Sequence, residues 1–413
     1  MKRLSTLLFA LLICGGFVSA VSMPPVKLLA EQSGLTLLGV SDAGSAPDVF
    51  LYYSPVVVDH TKVGSGACCT AEDVNHFIVQ LDYTDDRFKT LANGGHVADA
   101  QGDDIRPYSD TCTTPITGYE KQLYDGTTGH VIVNVKRDLS HTVDTTFYLC
   151  HDNPTKTTDA SDASGTYSAA GYISVYHFEN SGGSLNINDA LGARNGVSIT
   201  GTVGVTSSTG GKFGAAATPT GGTSYVVFPS TWYLANLSSN TVDVLIKTSA
   251  SRAITYPYNE SSDGGGQQYT FGFNISTSGY HCCQNLIKAS DLAATDIKLD
   301  TSVNDGAWHL LTKYNINVDA SHVSLNLTLD DGQTNTVTFT QNTGVGSNHV
   351  FTGTPDPSSS GYGSTADTID ELWLGNSATR NSAVSDPRQW VWTRNKNVLD
   401  ATTFAVLGTE VAR

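Results

Sequence analysis

Paired carboxylates are the residues of this sequence best suited by type to acid–base chemistry. Asp103-Asp104 and Asp370-Glu371 each place two acids side by side. A retaining glycosidase needs two carboxyl groups about 5–5.5 Å apart, but neighbouring residues of a strand point to opposite faces. We therefore expect that Asp370 and Glu371 do not share one cleft. Asp103 and Asp104 have the types for a metal or sugar site, although we favour a role in capping a strand end and stabilising a turn.

Signatures of nucleophilic catalysis and of phosphate binding are missing from the sequence. It contains no Gly-x-Ser-x-Gly elbow, and the glycine run at 264–266 lacks the following lysine of a phosphate-binding loop. His177 and His309 fall in strand patterns, where we expect them to be packed or hydrogen-bonded rather than bound to a metal. These observations favour a protein that is not an enzyme.

Aromatic residues in polar stretches are the candidate ligand-binding residues. Four of them fall among Gly, Ser and Asn: Trp232, Tyr256, Tyr258 and Tyr280. Sugars stack their C–H faces on exposed rings, and Asn and Asp side chains hold the hydroxyls. The alternative is that these rings anchor loops. We predict that they contact a carbohydrate ligand.

Net charge excludes one class of partner. The 413 residues include 39 acidic and 23 basic side chains, for a formal net charge of −16. Electrostatic binding of nucleic acid or of an anionic membrane surface needs clusters of Lys and Arg. We therefore predict no nucleic-acid partner.

The first 20 residues have the physical pattern of a signal peptide. Lys2 and Arg3 precede an apolar run from Leu7 to Phe17, and the small residues at 18–20 suit cleavage. An uncleaved anchor is the alternative. No later apolar run is long enough to span a bilayer. The sequence therefore predicts export, with no membrane span in the mature chain.

Cysteine usage agrees with an oxidising compartment. Cys14 lies in the predicted signal peptide, and six cysteines follow it: Cys68, Cys69, Cys112, Cys150, Cys282 and Cys283. An even number in an exported chain suggests disulfides. We expect pairing within each half of the chain, which would make Cys282-Cys283 a vicinal disulfide or two free thiols. Zinc binding is the less favoured alternative because CxxC spacing is missing.

Alternating apolar residues predict an all-β fold. The chain has 40 Gly, many Thr and Ser, and only two Met, a composition more typical of strands than of helices. Apolar residues alternate along 77–83, 131–135 and 242–246. A hairpin is predicted where the alternating run 323–329 turns at 330–333 and returns through Val337 and Phe339. Many short strands joined by Gly and Asp turns indicate sandwiches or barrels.

A polar segment divides the chain into two β units. Residues 155–168 begin with a run of Thr, Asp, Ala and Ser that has no apolar period, which is typical of a linker. The predicted organisation is a signal peptide at 1–20, an unassigned segment at 21–59, a β domain at 60–154, the linker at 155–168 and a second β domain at 169–413.

Three short motifs follow one another in the first predicted domain. Residues 102–107 read Gly-Asp-Asp-Ile-Arg-Pro, residues 119–120 read Tyr-Glu, and residues 147–154 read Phe-Tyr-Leu-Cys-His-Asp-Asn-Pro. In this order they resemble the bacterial domain of unknown function DUF2341. Asp152 stands where that family has glycine, and Pro107 stands where it has phenylalanine. The resemblance implies a β-sandwich.

Five motifs follow one another in the second predicted domain. They lie at 171–179, 189–196, 210–214 (Gly-Gly-Lys-Phe-Gly), 305–309 (Asp-Gly-Ala-Trp-His) and 369–373 (Ile-Asp-Glu-Leu-Trp). Together they resemble the laminin-G-like jelly rolls of the concanavalin A-like lectin and glucanase type. The tail, with Phe404 and Gly-Thr-Glu at 408–410, resembles proteins that join both domains. The resemblance implies a jelly roll over 169–413.

The second resemblance also implies a possible cofactor. Laminin-G-like domains often hold Ca²⁺ through Asp or Asn oxygens and loop carbonyls, and Asp189, Asn195 and Asp370 lie in the matching motifs. The alternative is that Asp189 and Asn195 only stabilise a turn. The Glu-x-Asp-x-x-Glu strand of concanavalin-like glucanases is missing here.

The sequence therefore predicts a secreted, non-catalytic β protein that recognises carbohydrate or another cell-surface ligand through the jelly roll. Two alternatives stay open. One is a structural subunit that self-assembles into an extracellular surface layer, fibre or phage tail. The other is a polysaccharide hydrolase or lyase that uses the jelly-roll groove, because this fold hosts lectins and enzymes alike.

Overall fold

The computed structural model describes residues 49–413 with gaps. The omitted residues in that range are 65–69, 229–239, 250–258, 263–270, 273–279, 283–297, 303–304, 318–321, 331–332, 341–347, 353–363, 366–367, 377–383 and 385. The predicted signal peptide and residues 21–48 also lie outside the described residues. Residues from 47 onward form one compact unit.

Two small sheets form a sandwich in the first half. Their strands are β1 (Tyr52–Val58), β2 (Val74–Thr84), β3 (Arg106–Tyr108), β4 (Tyr119–Asp125), β5 (His130–Leu139) and β6 (Thr145–His151). The order β2-β5-β4 makes one sheet, and β1, β6 and β3 belong to the other. Short 3-10 helices lie at 60–62, 86–88 and 91–93.

The sandwich forms because each sheet turns one apolar face inward. In β2 the side chains of Phe77, Val79 and Leu81 are buried, as the alternation predicts. They join Val56 from β1 and Phe147 from β6 in one apolar cluster. Burial of each such side chain contributes roughly 1.5–3 kcal/mol to folding.

The second half is organised around one large sheet. Its strands and the neighbouring short pairs are β7 (Tyr172–Tyr176), β8 (Asn180–Ser181), β9 (Ser184–Leu185), β10 (Ser198–Val205), β11 (Ala217–Val227), β12 (Asn240–Lys247), β13 (Asn259–Ser262), β14 (Phe271–Gly272), β15 (Tyr280–Cys282), β16 (Lys298–Ser302), β17 (Trp308–Asn317), β18 (His322–Leu329), β19 (Gln333–Thr340), β20 (Asn348–Thr352), β21 (Ser364–Thr365) and β22 (Thr368–Asn376). The order β14-β13-β20-β11-β22-β12-β17-β18-β19 is extended by β10 and β21 on β11 and by β7 on β22. The predicted hairpin is confirmed, because Val323 pairs with Phe339.

The end of the chain returns to the first sandwich. Helices α1 (Ala163–Ala169), α2 (Pro387–Leu399) and α3 (Ala401–Phe404) precede or follow the large sheet, and α3 leads into β23 (Ala405–Leu407) and β24 (Val411–Ala412). Asp386 caps α2, whose first residue is a proline with a suitable fixed φ. Both β23 and β24 pair antiparallel with β1.

The two predicted domains share one apolar cluster. Residues 155–168, predicted as a linker, contain most of α1, and Tyr167 of that helix is fully buried. Its ring meets Tyr172 and Trp373 edge to face, with centroids 5.8 and 5.3 Å apart. The same cluster contains Phe77 and Phe404. Residues before and after the linker therefore pack together.

The all-β prediction is confirmed, because strands dominate the described residues and helices are few. Cys112 and Cys150 form a disulfide, which agrees with pairing inside the first half. Cys68, Cys69 and Cys283 lie outside the described residues, and the pairing of Cys282 stays a prediction. Among the helices described here, none has the length and apolar character needed to cross a bilayer.

Candidate functional site

The carboxylates of the two halves gather where the β2-β5-β4 sheet meets the large sheet. We define the acidic cluster as Glu120, His177, Glu179, Asp370 and Glu371. Glu120 lies on β4, His177 and Glu179 follow β7, and Asp370 and Glu371 lie on β22. An apolar cluster beside it includes Ile132 of β5 and Leu245 of β12, so the two sheets share a small apolar core.

A β-bulge explains how Asp370 and Glu371 enter the same cluster. Val244 pairs with Leu372, but Ile246 pairs with Ile369, so two residues of β22 oppose the single Leu245. Ile369 and Leu372 both belong to the apolar cluster of the large sheet, which also includes Val244 and Leu311. The two acids between them lie on the opposite face of β22. Our expectation that they cannot share a site is therefore wrong, because strict alternation fails at a bulge.

His177 links two carboxylates. Its Nδ1 lies 2.8 Å from Glu371 Oε2, and its Nε2 lies 3.0 Å from Glu120 Oε2. Burial disfavours the charged ring, but the charges of Glu371 and Glu120 and their hydrogen bonds raise the pKa of His177 well above its ordinary value. The ring is thus an imidazolium whose two N–H groups both donate to carboxylates. It has no free nitrogen with which to accept a proton or bind a metal.

Further donors hold the two glutamates. The hydroxyl of Tyr167 donates to Glu120 Oε2 at 2.6 Å. Burial opposes ionisation of Glu120, but the charge of His177 and hydrogen bonds from His177, Tyr167 and Asn134 lower its pKa. Glu371 accepts from Trp373 Nε1. Two side-chain amides also donate to Glu371 Oε1, from Gln80 at 3.1 Å and Gln122 at 3.1 Å.

The glycine segment 210–214 holds the other two acids. The backbone N–H groups of Lys212 and Phe213 donate to Asp370 Oδ2 at 2.5 and 2.7 Å, and that of Ala215 donates to Glu179 Oε2 at 3.0 Å. Burial is the main cause that raises the pKa of Asp370 and of Glu179.

Glycine is required at two positions of that segment. A Cβ on Gly211 would lie 2.8 Å from Asp370 Oδ2, and one on Gly214 would lie 2.2 Å from Glu179 Oε1. Gly214 also has a φ of +75°, which favours glycine. The motifs at 210–214 and 369–373 are therefore two sides of one contact.

The acidic cluster can hold protons and fix the two sheets, but it is poorly suited to catalysis. An acid–base catalyst must reach the substrate with an available group. Here the imidazolium is shared by two carboxylates, and Glu371 has a relative exposure of only 1%. Both His177 and His309 are hydrogen-bonded, as predicted; His309 lies 2.8 Å from Asp330 and 3.0 Å from Asp305.

The proposed calcium ligands do not share their hydrogen-bond partners. Asp189 accepts from the backbone N–H groups of Val175, Leu191 and Arg194, and Asn195 accepts from that of Asp189. Asp370 instead bonds to the glycine segment. Its Oδ1 is buried without a hydrogen bond. Hydrogen bonding thus accounts for Asp189 and Asn195 as turn residues, and calcium stays a prediction.

Asp103 and Asp104 stabilise a turn. Asp104 is fully buried and accepts from four backbone N–H groups, those of Ala98, Asp99, Asp152 and Asn153. Asp103 pairs with Lys121. Asp152 has a φ of +60°. Asp is one of the few residues that adopt this conformation readily.

The predicted sugar-binding aromatics fall largely outside the described residues. Trp232, Tyr256 and Tyr258 lie in omitted segments, and Tyr280 is the first residue of β15, where only the backbone is described. Their role stays a prediction. Sequence reasoning missed Glu120, Gln80 and Asn134 as buried polar residues. For Gln80 and Asn134 the signal is a polar side chain on a strand between two apolar neighbours, whereas Glu120 is followed by a lysine and gives no such signal.

Comparisons with known proteins give distant likenesses. No model of a known protein family matches the chain, and no curated protein is significantly similar to it. A solved structure of the binding domain of botulinum neurotoxin DC in complex with SialylT has 12% identity and a TM-score of 0.38, with 56% of this chain and 52% of that chain covered.

Two enzymes give likenesses of similar size. A mutant sialidase of Trypanosoma rangeli has 12% identity and a TM-score of 0.35, covering 62% and 43% of the two chains. A carbohydrate esterase of the Shiga toxin-encoding bacteriophage phi24B has 17% identity and a TM-score of 0.33, covering 50% and 98%. The chain spans about half the length of the neurotoxin binding domains. Likenesses of this size do not identify what the chain binds.

Proposed function

We propose that this protein is an exported, non-catalytic binding protein that recognises carbohydrate, or another cell-surface ligand, through loops of its second half. The observation that carries the non-catalytic part is the state of the histidine in the acidic cluster. Both ring nitrogens of His177 are held by carboxylates, so this histidine has no free nitrogen with which to act as a base.

The binding part rests on the scaffold and on the sequence of its loops. Strands of the large sheet surround an apolar cluster that includes Val244, Leu311 and Leu372, and the junction with the first sandwich is closed by buried ion pairs. Rigid strands that support polar loops are a common basis for recognition. The sequence places Trp232, Tyr256 and Tyr258 in such loops, where rings can stack on sugars. Tyr280, predicted to lie in a loop, begins the short strand β15.

The test is binding of the protein from Val21 onward to a broad glycan and polysaccharide array in calcium-containing buffer. We expect selective binding that is lost in a variant carrying Trp232→Ala, Tyr256→Ala, Tyr258→Ala and Tyr280→Ala. The matched control carries Tyr256→Phe, Tyr258→Phe and Tyr280→Phe, which keep the stacking rings and should retain most of the binding. A blank array with folded protein would contradict the proposal.

The hydrolase alternative has its own measurement. Polysaccharides incubated with the protein should release no reducing ends. Release that is abolished by Glu179→Gln would show that the acidic cluster is catalytic, since Glu179 is the partly exposed acid whose pKa burial raises.

One observation favours the structural alternative. Three aliphatic residues are exposed here, with relative exposures of 46, 48 and 39%: Leu51, just before β1, and Val406 and Val411, on the strands that pair with β1. Apolar residues grouped on a sheet favour association between copies of a chain. Light scattering over a concentration series would reveal a stable oligomer, which Val406→Thr should weaken.

A further inference from the structure

A polar pocket lies on the first sandwich, and its lining includes none of the residues predicted from the sequence to bind a ligand. It has a volume of about 420 Å³ and is lined by the turn at 85–87, the glycine turn at 94–96 and the tail at 409–410. Small-molecule sites usually have volumes of about 300–1,000 Å³. We call it the arginine pocket.

Arg87 is fixed in the wall of the pocket. Its backbone N–H and its Nε donate to Asp85 Oδ1 at 3.0 and 2.9 Å. Its Nη1 donates to Ser54 Oγ at 3.0 Å and to the carbonyl of Gly408 at 2.7 Å. The guanidinium is therefore oriented before any ligand arrives, and its Nη2 makes no hydrogen bond within the described part of the chain. A pre-oriented donor binds without a large loss of side-chain entropy.

His96 is fixed on the other side. Its Nδ1 lies 2.8 Å from Glu410 Oε2, and its ring stacks on Tyr52 with centroids 4.1 Å apart and planes 6° apart. The Nε2 atom makes no hydrogen bond to the described residues. Glu410 is in turn close to the buried His151, at 3.3 Å.

The open wall of the pocket is made by a glycine turn and two exposed side chains. Gly94 has a φ of +84°, and a Cβ built there would meet no atom within 4 Å, so space lies above it. Asp86 is exposed and forms an ion pair with Lys89 at 2.6 Å. Thr409 is exposed at the mouth.

The pocket contains groups of both charge signs. Arg87 is paired with Asp85 and Asp86 with Lys89, and His96 is hydrogen-bonded to Glu410. An anion such as phosphate would meet the carboxylates of Asp86 and Glu410, and a cation would meet Arg87. A neutral ligand whose hydroxyl groups both donate and accept suits the free Nη2 of Arg87, the free Nε2 of His96 and the carboxylate of Asp86.

We propose that the arginine pocket is a second binding site, for a neutral mono- or disaccharide. It uses none of the loop residues assigned to ligand binding in the second half, so either site can fail without the other.

The test combines calorimetry with hydrogen–deuterium exchange on the protein from Val21 onward. The probes are glucose, galactose, mannose, N-acetylglucosamine, lactose and cellobiose, with inorganic phosphate as the anionic probe. We expect at least one sugar to bind and to slow exchange in the segments 85–97 and 405–413.

Two variants locate the effect. Thr409→Trp fills the mouth with a ring, and Asp86→Asn removes an exposed acceptor; each should weaken sugar binding by about tenfold or more. The matched control is Thr402→Trp, which places the same ring on the exposed side of α3. Three results would overturn the proposal: no sugar protects either segment, Thr409→Trp binds as the unmodified chain does, or phosphate binds where the sugars do not.

Discussion

The acidic cluster and the arginine pocket are built from the same side-chain types, yet they use them in opposite ways. In the acidic cluster, His177 is shared between two glutamates and Tyr167 adds a further donor. In the arginine pocket, Arg87 and His96 are each held on one side, and Nη2 of Arg87 and Nε2 of His96 make no hydrogen bond within the described part of the chain. A fully bonded histidine gives the first region rigidity, whereas the partly bonded side chains give the second region its proposed capacity to bind.

The largest expected effect tests the rigid side of this comparison. Glu371→Ala leaves the His177 imidazolium, Trp373 Nε1 and two side-chain amides without their shared acceptor, and we expect a loss of about 3–5 kcal/mol of unfolding free energy. Urea denaturation measures it. Asp86→Asn is the control, because an exposed acid of the arginine pocket should change stability by under about 0.5 kcal/mol. A similar small change for Glu371→Ala would contradict the structural role of the cluster.

Removal of the disulfide tests the other half of the comparison, the arginine pocket. Cys112 and Cys150 close a loop with a sequence separation of 38, and the double substitution to Ala should cost about 2–4 kcal/mol. Because Cys150 precedes His151, which contacts Glu410, exchange should rise in the segments around the arginine pocket more than at the acidic cluster. Equal rises in exchange at the arginine pocket and at the acidic cluster would show that the disulfide does not stabilise the pocket preferentially.

The pH dependence of stability sharpens the comparison further. The pKa of His177 is raised, so its contribution is complete below its ordinary value and is lost as pH rises through the folded value. Glu179 and Asp370 also have raised pKa values, so charging them costs stability as pH rises. The pKa of Glu120 is lowered. Glu120 therefore adds stability as pH rises, but only at pH values below its ordinary pKa. His151, whose pKa burial lowers to about 4, changes stability in the opposite direction between these pH values, but three groups of the cluster lose stability. We therefore expect lower stability at about pH 8 than at about pH 5.

Denaturation at the two pH values checks this expectation. Glu179→Gln removes one titrating group at nearly constant shape and should reduce the difference. A chain that is equally stable, or more stable, at the higher pH would show that the cluster does not hold its protons as described.

The smallest expected effect concerns calcium. Because amide N–H groups already satisfy Asp189 and Asn195, exchange of millimolar calcium for chelator should shift the melting temperature by under about 2 °C. A larger rise with calcium that Asp189→Asn abolishes would establish an ion at the turn.

Local features of this fold were predictable, and long-range ones were not. The alternation of apolar and polar residues located β2 and the hairpin of β18 and β19, because a strand with one buried face has an apolar residue at every second position. The bulge at Asp370 and Glu371 depends on the register against β12, which no local pattern specifies. The link between His96 and Glu410 joins residues 314 positions apart. Buried polar residues such as Gln80 cannot be recognised from the local sequence, because their hydrogen-bond partners come from distant parts of the chain.

The pairing of β23 and β24 with β1 has a consequence for synthesis. β1 leaves the ribosome early, but one of its edges stays open until residues 405–413 have emerged and paired with it. The same residues bring Glu410 to His96, so a shortened nascent chain has neither a closed first sheet nor a complete arginine pocket. An open strand edge is a template for misassociation. Chains that stop before residue 405 are therefore expected to be recognised by chaperones and proteases through β1, and sugar binding at the pocket would report that β23 and β24 have been made.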